Sequence, residues 1–419
     1  MTSTLKTIIK NIGPGLLFAS MAIGTSHLVM STKAGAQYGW IMVIPIILAN
    51  VLKYPFFEFG VRYTNATNKT LIEGYLNRGK GYLVFYALIT FISTFTILAA
   101  LYIVTSGLLI NLLKISSIPI PIIALSLFTF ISFLLIIGKY SFLEKSLKIV
   151  VTILLFAVLA TILLVLNKGQ VAQVFNYKPS SIFNEAGILF LIGLMGWMPT
   201  TVEASSWVSL WSKEKWNIQG NKPSLKTSLQ EFNTGYIITS ILAILFLIIG
   251  WLTLYGTNTL LSSSAVIFAD QLVNLFTIHI GNWSYILISL AAFATMFSTC
   301  MTAHDAIARV SVDILQLLKP KIKKTNSSKR LFTIAVIVLA LINFTVIAGF
   351  GANMGQLVAL ATFVSFIVAP IIGYMNLKNV ISEDLSVHQQ PGKGLKILTY
   401  IGITFLLLFS IYYFWIVIF

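Results

Sequence analysis

Residues 13–36 read GPGLLFASMAIGTSHLVMSTKAGA, and the reading of this stretch decides the fold. It is apolar and long enough to cross a bilayer, which takes about 20 helical residues. Its middle nevertheless carries Gly24, Thr25, Ser26 and His27, where a spanning helix should carry Leu or Ile. Glycine weakens the helix at that point, and hydrocarbon cannot satisfy the backbone groups that a break sets free. Such a break is tolerated where it is buried in protein or lines a cavity. Taken alone, the stretch also fits a kinked packing helix with one hydrogen-bonded histidine.

A second interruption weighs against a simple kink. Residues 181–211, SIFNEAGILFLIGLMGWMPTTVEASSWVSLW, form another apolar span, broken by Met198-Pro199-Thr200-Thr201. Pro199 removes a backbone donor and clashes with the preceding turn, so carbonyls near Gly196 lose their helical partners. Four spanning segments separate the breaks, which therefore fall in spans one and six. Broken helices at corresponding positions of two halves point to a substrate site near the bilayer midplane.

The rest of the chain agrees with a polytopic membrane protein. Of its 419 residues, 57% are hydrophobic and only 10% charged. Eleven spans are expected, at roughly 13–36, 40–61, 82–110, 119–137, 147–166, 183–211, 233–255, 283–306, 331–350, 354–375 and 396–418. The first apolar stretch is too long, and followed by too many others, to be a cleavable signal peptide. Spans one to five and six to ten begin on opposite sides of the membrane, because five is odd. That predicts an all-α, LeuT-type inverted repeat (about 13–166 and 183–375) with span eleven, 396–418, appended, in a single transporter domain over 1–419. The segment SAVIFADQLVNLF, within the loop 257–282, reads as a short amphipathic helix over the outer face.

Charge placement orients the chain. With a cytoplasmic N-terminus, the inner segments hold 23 of the 28 basic residues, and loop 257–282 holds none. The positive-inside rule therefore gives a multi-pass protein of the cell (inner) membrane with its N-terminus in the cytoplasm. The net charge of +16 is mainly this topology signal, with contact to anionic lipid headgroups secondary. No soluble domain exists to serve a nucleic-acid partner. The single cysteine, Cys300, excludes an intramolecular disulfide framework or a multi-cysteine metal cluster. Signatures of metalloproteases, serine hydrolases, P-loop nucleotide binding and zinc sites are missing, so an enzyme or a primary pump is not expected.

Ionisable residues inside a membrane are functional candidates. His27 in the first break reads as a substrate contact or proton carrier, or as a structural partner. Glu203, four residues after Pro199, reads as a coupling or gating group, or as a structural one. Lys53 and Glu58, read as near the cytoplasmic end of span two, are expected to snorkel or pair; Lys33 and Glu185 are treated likewise. His304 and Asp305 complete the set. Hydroxyls gather at the breaks, with Thr25 and Ser26 in one and Thr200 and Thr201 in the other. Half-helix N-termini begin there, with free N–H groups and partial positive charge, which suits a small anion or a polar neutral solute. Ser298 and Thr299 in span eight read in two ways. LeuT-type sodium symporters place such a hydroxyl pair against carbonyls of broken helix one, making bound Na⁺ a possible cofactor; alternatively, the hydroxyls bond their own backbone.

At the breaks the sequence resembles the NRAMP family of proton-coupled divalent metal transporters. The family's first helix runs from Gly-Pro-Gly through Asp-Pro-Gly-Asn to Ala-Gly-Ala. Here Gly13-Pro14-Gly15 and Ala34-Gly35-Ala36 stand at that spacing. The family's sixth-helix Met-Pro-His-Asn is matched by Met198-Pro199-Thr200-Thr201. The resemblance implies the family's scaffold, but the metal ligands depart from it. Gly24 stands at the Asp position, His27 at the Asn position, Thr200 at the His position and Ser205 at a further His, and Met198 alone is retained. A divalent ion normally needs carboxylate oxygens. The expected substrate is therefore a small inorganic or organic ion such as bicarbonate or a small carboxylate, coupled to Na⁺ or H⁺ through Glu203. The substrate-binding residues would be Gly24, Thr25, Ser26, His27, Met198, Thr200 and Thr201, and the coupling residues Glu203, Ser298 and Thr299. One alternative keeps Mn²⁺ or Fe²⁺ transport through His27, Met198, backbone carbonyls and Glu203. Another is a non-transporting sensor on the same scaffold.

Overall fold

The computed structural model describes residues 14–138, 156, 158–167, 169–257, 259–320 and 325–418. The segments carrying Lys6, Lys10, Lys139, Lys145, Lys148, Lys321, Lys323 and Lys324 lie outside them, as does half of predicted span five. All regular structure in the described residues is helical. Eight helices are long and apolar enough to cross a membrane: Trp40–Thr67, Lys80–Leu113, Ile120–Ile137, Leu225–Leu254, Asn282–Leu318, Ser328–Gly349, Met354–Val380 and Lys393–Trp415. Spans one and six fail that length test because each is interrupted. Span one is Pro14–Ala22, a π-helical turn Ser26–Ser31, and Thr32–Tyr38. Span six is Glu185–Trp197 followed by Ala204–Gln219. Val158–Asn167 is the described part of span five. The protein is an all-α polytopic membrane protein of the LeuT-type plan.

Several helices run past the limits set by hydropathy. Span two continues to Thr67, where Asn68 closes it in the left-handed region at φ 59°. Span seven starts at Leu225, capped by the Ser224 side chain accepting from the Thr227 amide. Hydropathy marks the edge of the hydrocarbon, whereas capping decides where the helix stops.

Span one is pinned along its length to span seven by pairs of glycines. A Cβ on Gly15 would lie 2.4 Å from the Glu231 carbonyl oxygen, and one on Gly235 would lie 2.1 Å from that of Gly15. Near the other end, Gly35 meets the Leu247 carbonyl at 2.0 Å and Gly250 meets that of Thr32 at 2.2 Å by the same construction. Backbones this close exclude any side chain, which is the physical content of the Gly-Pro-Gly and Ala-Gly-Ala ends.

The two ends of the bundle differ in charge. At one, Arg62 Nε lies 3.0 Å from both Glu58 oxygens and Arg62 Nη1 bonds the Gln389 carbonyl at 2.8 Å. Arg78 pairs with Asp384 at 2.6 Å and Lys213 with Glu73 at 2.7 Å, so three predicted inner segments meet there. At the other, Lys33 reaches the Ser262 carbonyl at 3.4 Å and lies over the Phe268 ring. The amphipathic segment is the helix Ala265–Ile280, which buries Phe268, Leu272, Val273 and Phe276. Its first turn packs on span three at Gly107, where a Cβ would come within 2.4 Å of the Ala265 carbonyl.

Candidate substrate site between the two breaks

The first break is closed by its own hydroxyl and by span seven. The helix stops at Ala22, and the Gly24 carbonyl accepts from His27 N at 3.1 Å and Leu28 N at 3.0 Å. Ser26 Oγ lies 2.6 Å from the Ala22 carbonyl, 2.8 Å from His27 Nδ1 and 3.2 Å from the Pro199 carbonyl. One hydroxyl proton is thus shared among three acceptors, the third being in the other break. His27 Nε2 stands 2.9 Å from the Thr239 carbonyl. A carbonyl only accepts, so that nitrogen carries the proton and, in a neutral ring, Nδ1 accepts from Ser26. His27 is fully buried and turned toward span seven.

The second break is closed by charge. Helix ends at Trp197, Met198 is extended at φ −96° and ψ 123°, the Met198–Pro199 peptide is cis, and helix resumes at Ala204. Lys53 Nζ donates to the carbonyls of Met195 at 2.8 Å, Gly196 at 2.9 Å and Thr200 at 3.2 Å. Lys53 is fully buried. The sequence places it near a span end, where it would snorkel or pair. The helix actually runs from Val43 to Thr67, which leaves Lys53 in its interior. Glu58 pairs with Arg62. Glu203, also buried, accepts from the Ser93 hydroxyl at 2.6 Å and from Thr201 on its other oxygen.

Between the breaks lies a buried cavity with about 20 Å³ of room for the centre of a water-sized sphere. At roughly 10–15 Å³ per water by that measure, this suits one very small solute or ion. Its wall is formed by Met21, Thr25 and Ser26 of span one and Ile97 and Leu101 of span three. Trp197, Thr200, Thr201 and Trp207 of span six, with Thr299 and Ala303 of span eight, complete it. The wall thus carries five hydroxyls and two indoles, and neither a carboxylate nor an imidazole. Among the described residues, no three His, Cys, Asp or Glu side chains group as metal ligands.

Span eight meets span one directly. Thr299 Oγ1 is 3.0 Å from the Ser20 carbonyl and 3.0 Å from that of Thr295. Ser298 Oγ bonds the Thr295 carbonyl at 2.7 Å and accepts from the Ser20 hydroxyl at 3.2 Å. Both sequence readings of this pair are therefore partly present, with contact to span one as well as to its own helix. A Cβ on Gly24 would lie 2.7 Å from Thr299 Cγ2, so the small residue at this position is what lets span eight approach.

Of the residues singled out by sequence, Thr25, Ser26, Thr200 and Thr201 come together on the wall, joined by Thr299. Gly24 packs behind Thr299, while His27, Met198, Glu203 and Ser298 stand outside the wall. Sequence reasoning missed Trp197, Trp207 and Ser93, and it did not foresee that Lys53 reaches the second break. The signal for Lys53 was present: a lysine within the apolar run LANVLKYPFF, a whole turn from relief at either side.

Two breaks facing one another across a buried cavity, inside an inverted-repeat bundle, define a membrane transporter rather than an enzyme. The Nramp family model (natural resistance-associated macrophage protein-like) matches residues 15–416, and the chain belongs to that family. It is 33% identical over 402 residues to the uncharacterised protein PM0681 of Pasteurella multocida, covering 96% of this chain and 90% of that one. It is 27% identical over 259 residues to the divalent metal cation transporter MntH of Staphylococcus saprophyticus, covering 59% of this chain and 56% of the relative. Among solved structures, a mutant manganese transporter of Eremococcus coleocola superposes with a TM-score of 0.69 at 13% identity, covering 97% of this chain and 86% of that one. At that identity the likeness speaks for the fold.

Proposed function

We propose that this Nramp-family transporter carries a small anion, with bicarbonate or a small carboxylate as the fitting examples, by alternating access across the cell membrane. The observation that supports this is the cavity wall, with five hydroxyls, no carboxylate and Lys53 directly behind Thr200. Wall hydroxyls that turn from their present acceptors can donate to an oxyanion, and nothing on the wall offsets a double positive charge. Glu203 is the coupling group in this reading: a buried carboxylate whose two oxygens accept from hydroxyls that a passing proton or Na⁺ would displace. Thr299 on the Ser20 carbonyl and Ser298 on the Ser20 hydroxyl support Na⁺ as the coupling ion in this reading. Uptake into proteoliposomes, with labelled bicarbonate and Mn²⁺ compared under Na⁺ and H⁺ gradients, tests the proposal. Gradient-driven bicarbonate uptake without Mn²⁺ flux is expected.

The second reading is divalent metal transport, favoured by family membership and by the manganese and divalent-metal transporters it resembles. Saturable Mn²⁺ uptake in the same vesicles would establish it over the first.

A further inference from the structure

An ammonium group has three protons to donate, and Lys53 spends all of them on backbone carbonyls. Two of these, from Met195 and Gly196, belong to the last turn of the half-helix Glu185–Trp197, where carbonyls lack helical partners and the helix dipole is negative. The third, from Thr200, lies inside the break. Carbonyls gathered at the end of an unwound half-helix are how membrane proteins hold small cations. Here a side chain from span two already occupies such a set. Thr200 joins the two environments, since its carbonyl binds the ammonium and its side chain lines the cavity.

We propose that Lys53 is a tethered cation: it fills the carbonyl cage of the second break in place of a free ion, and its fixed charge makes the adjoining cavity select an anion. The second half of this statement rests on the anionic reading above; the first does not. Charge arithmetic supports both halves. Lys53 holds the Thr200 carbonyl and Glu203 the Thr201 hydroxyl, so the ammonium and the carboxylate lie behind adjacent residues of the wall and offset one another. A divalent metal in the cavity would add two positive charges beside an ammonium, with no carboxylate on the wall. Once Glu203 is neutralised by its coupling proton or Na⁺, a monovalent anion would meet the ammonium held on the Thr200 carbonyl.

Two substitutions separate the halves. Lys53→Ala empties the cage, whereas Lys53→Met fills it without charge. The thermal midpoint of the purified full chain is measured in NaCl, KCl and choline chloride at equal ionic strength. Lys53→Met is expected to show the same cation dependence as the wild type, with any Na⁺ effect that of the coupling ion and none for K⁺ over choline. Lys53→Ala is expected to be several degrees less stable in choline and to regain part of that in Na⁺ or K⁺. If Lys53→Ala is too unstable to purify in choline, its folded recovery from solubilised membranes in the three salts reads the same dependence. A Lys53→Ala protein that ignores the cation overturns the cage. Bicarbonate uptake by Lys53→Met is expected to fall on the order of tenfold or more, as when a buried charged partner is lost. Wild-type uptake by that variant overturns the selectivity half. A wild type that carries Mn²⁺ and no bicarbonate removes the anionic reading and the selectivity with it, while the cation dependence of Lys53→Ala still decides the cage.

Discussion

The two breaks pose one physical problem, carbonyls and amides released inside a membrane, and the chain answers it in two ways. Span one is mended by neutral groups: the Ser26 hydroxyl, the His27 ring bonded to Thr239, and a π-helical turn that resumes the ladder at once. Span six is mended by ions: Lys53 on three carbonyls, and Glu203 held by Ser93 and Thr201 just beyond. The family pattern places its anionic ligand in the first break. In this chain the first break is electrically silent and the charge has moved behind the second. That redistribution is the ground on which a different solute is proposed, because a site's fixed charges decide which ion gains by entering it.

The comparison can be broken most sharply at the charged side. Lys53→Ala should cost about 3–5 kcal/mol in choline, since it leaves a buried carboxylate and three carbonyls without their cation. Thermal or denaturant unfolding in detergent measures it. The corresponding loss at the neutral break should be smaller. His27→Ala removes the second bond of a Thr239 carbonyl that keeps its place in the helix Leu225–Leu254, leaves a gap, and should cost about 1–3 kcal/mol, read the same way. If His27→Ala proves the more damaging, the contrast between the breaks is wrong.

Packing at the first break gives the next effect. Gly24→Ala should destabilise by about 1–3 kcal/mol because its methyl meets Thr299 Cγ2. Thr299→Ser removes that carbon and keeps the hydroxyl, so the double variant should recover much of the loss. Additive effects in this double-mutant cycle would remove the close approach as the reason for glycine. Glu203→Gln keeps the shape of the carboxylate and both hydroxyl neighbours. Uptake in proteoliposomes should then persist only as exchange and lose its dependence on the driving gradient, and retained gradient dependence would end the coupling role.

The smallest expected effect lies far from both breaks. Burial alone would raise the Asp384 carboxyl, but hydrogen bonds from Tyr63 and Asn77 and the charges of Arg78 and Lys69 outweigh it and hold the pKa below the ordinary 3.8. A depressed folded-state pKa contributes stability above the unfolded value and loses it as pH falls through the folded one. Stability from this cluster should thus be flat from pH 7 to 5 and fade only below 3.8. Asp384→Asn should cost no more than about 1 kcal/mol, as for partly exposed pairs, and should abolish that acid-side slope.

The spans, the inverted plan and the two interruptions were legible because hydrocarbon imposes a one-dimensional rule: apolar residues for the length of a bilayer, and no free backbone without a reason. The same rule exposed the hydroxyls Thr25, Ser26, Thr200 and Thr201, since they interrupt that pattern. The resemblance to the family, not the hydropathy, implied that Gly24 stands at its carboxylate position. Hydropathy could not tell which intramembrane charge faces what. Lys53 and Glu203 stand 150 residues apart in the chain. Only the packing of span two against the end of a half-helix in span six puts an ammonium on the Met195, Gly196 and Thr200 carbonyls. It was likewise tertiary structure that turned His27 away from the cavity, brought Trp197 and Trp207 onto its wall and set Thr299 against Gly24. Solvent exclusion acts on each span separately and can be read along the chain, whereas the pairing of buried polar groups depends on which spans meet and at what height.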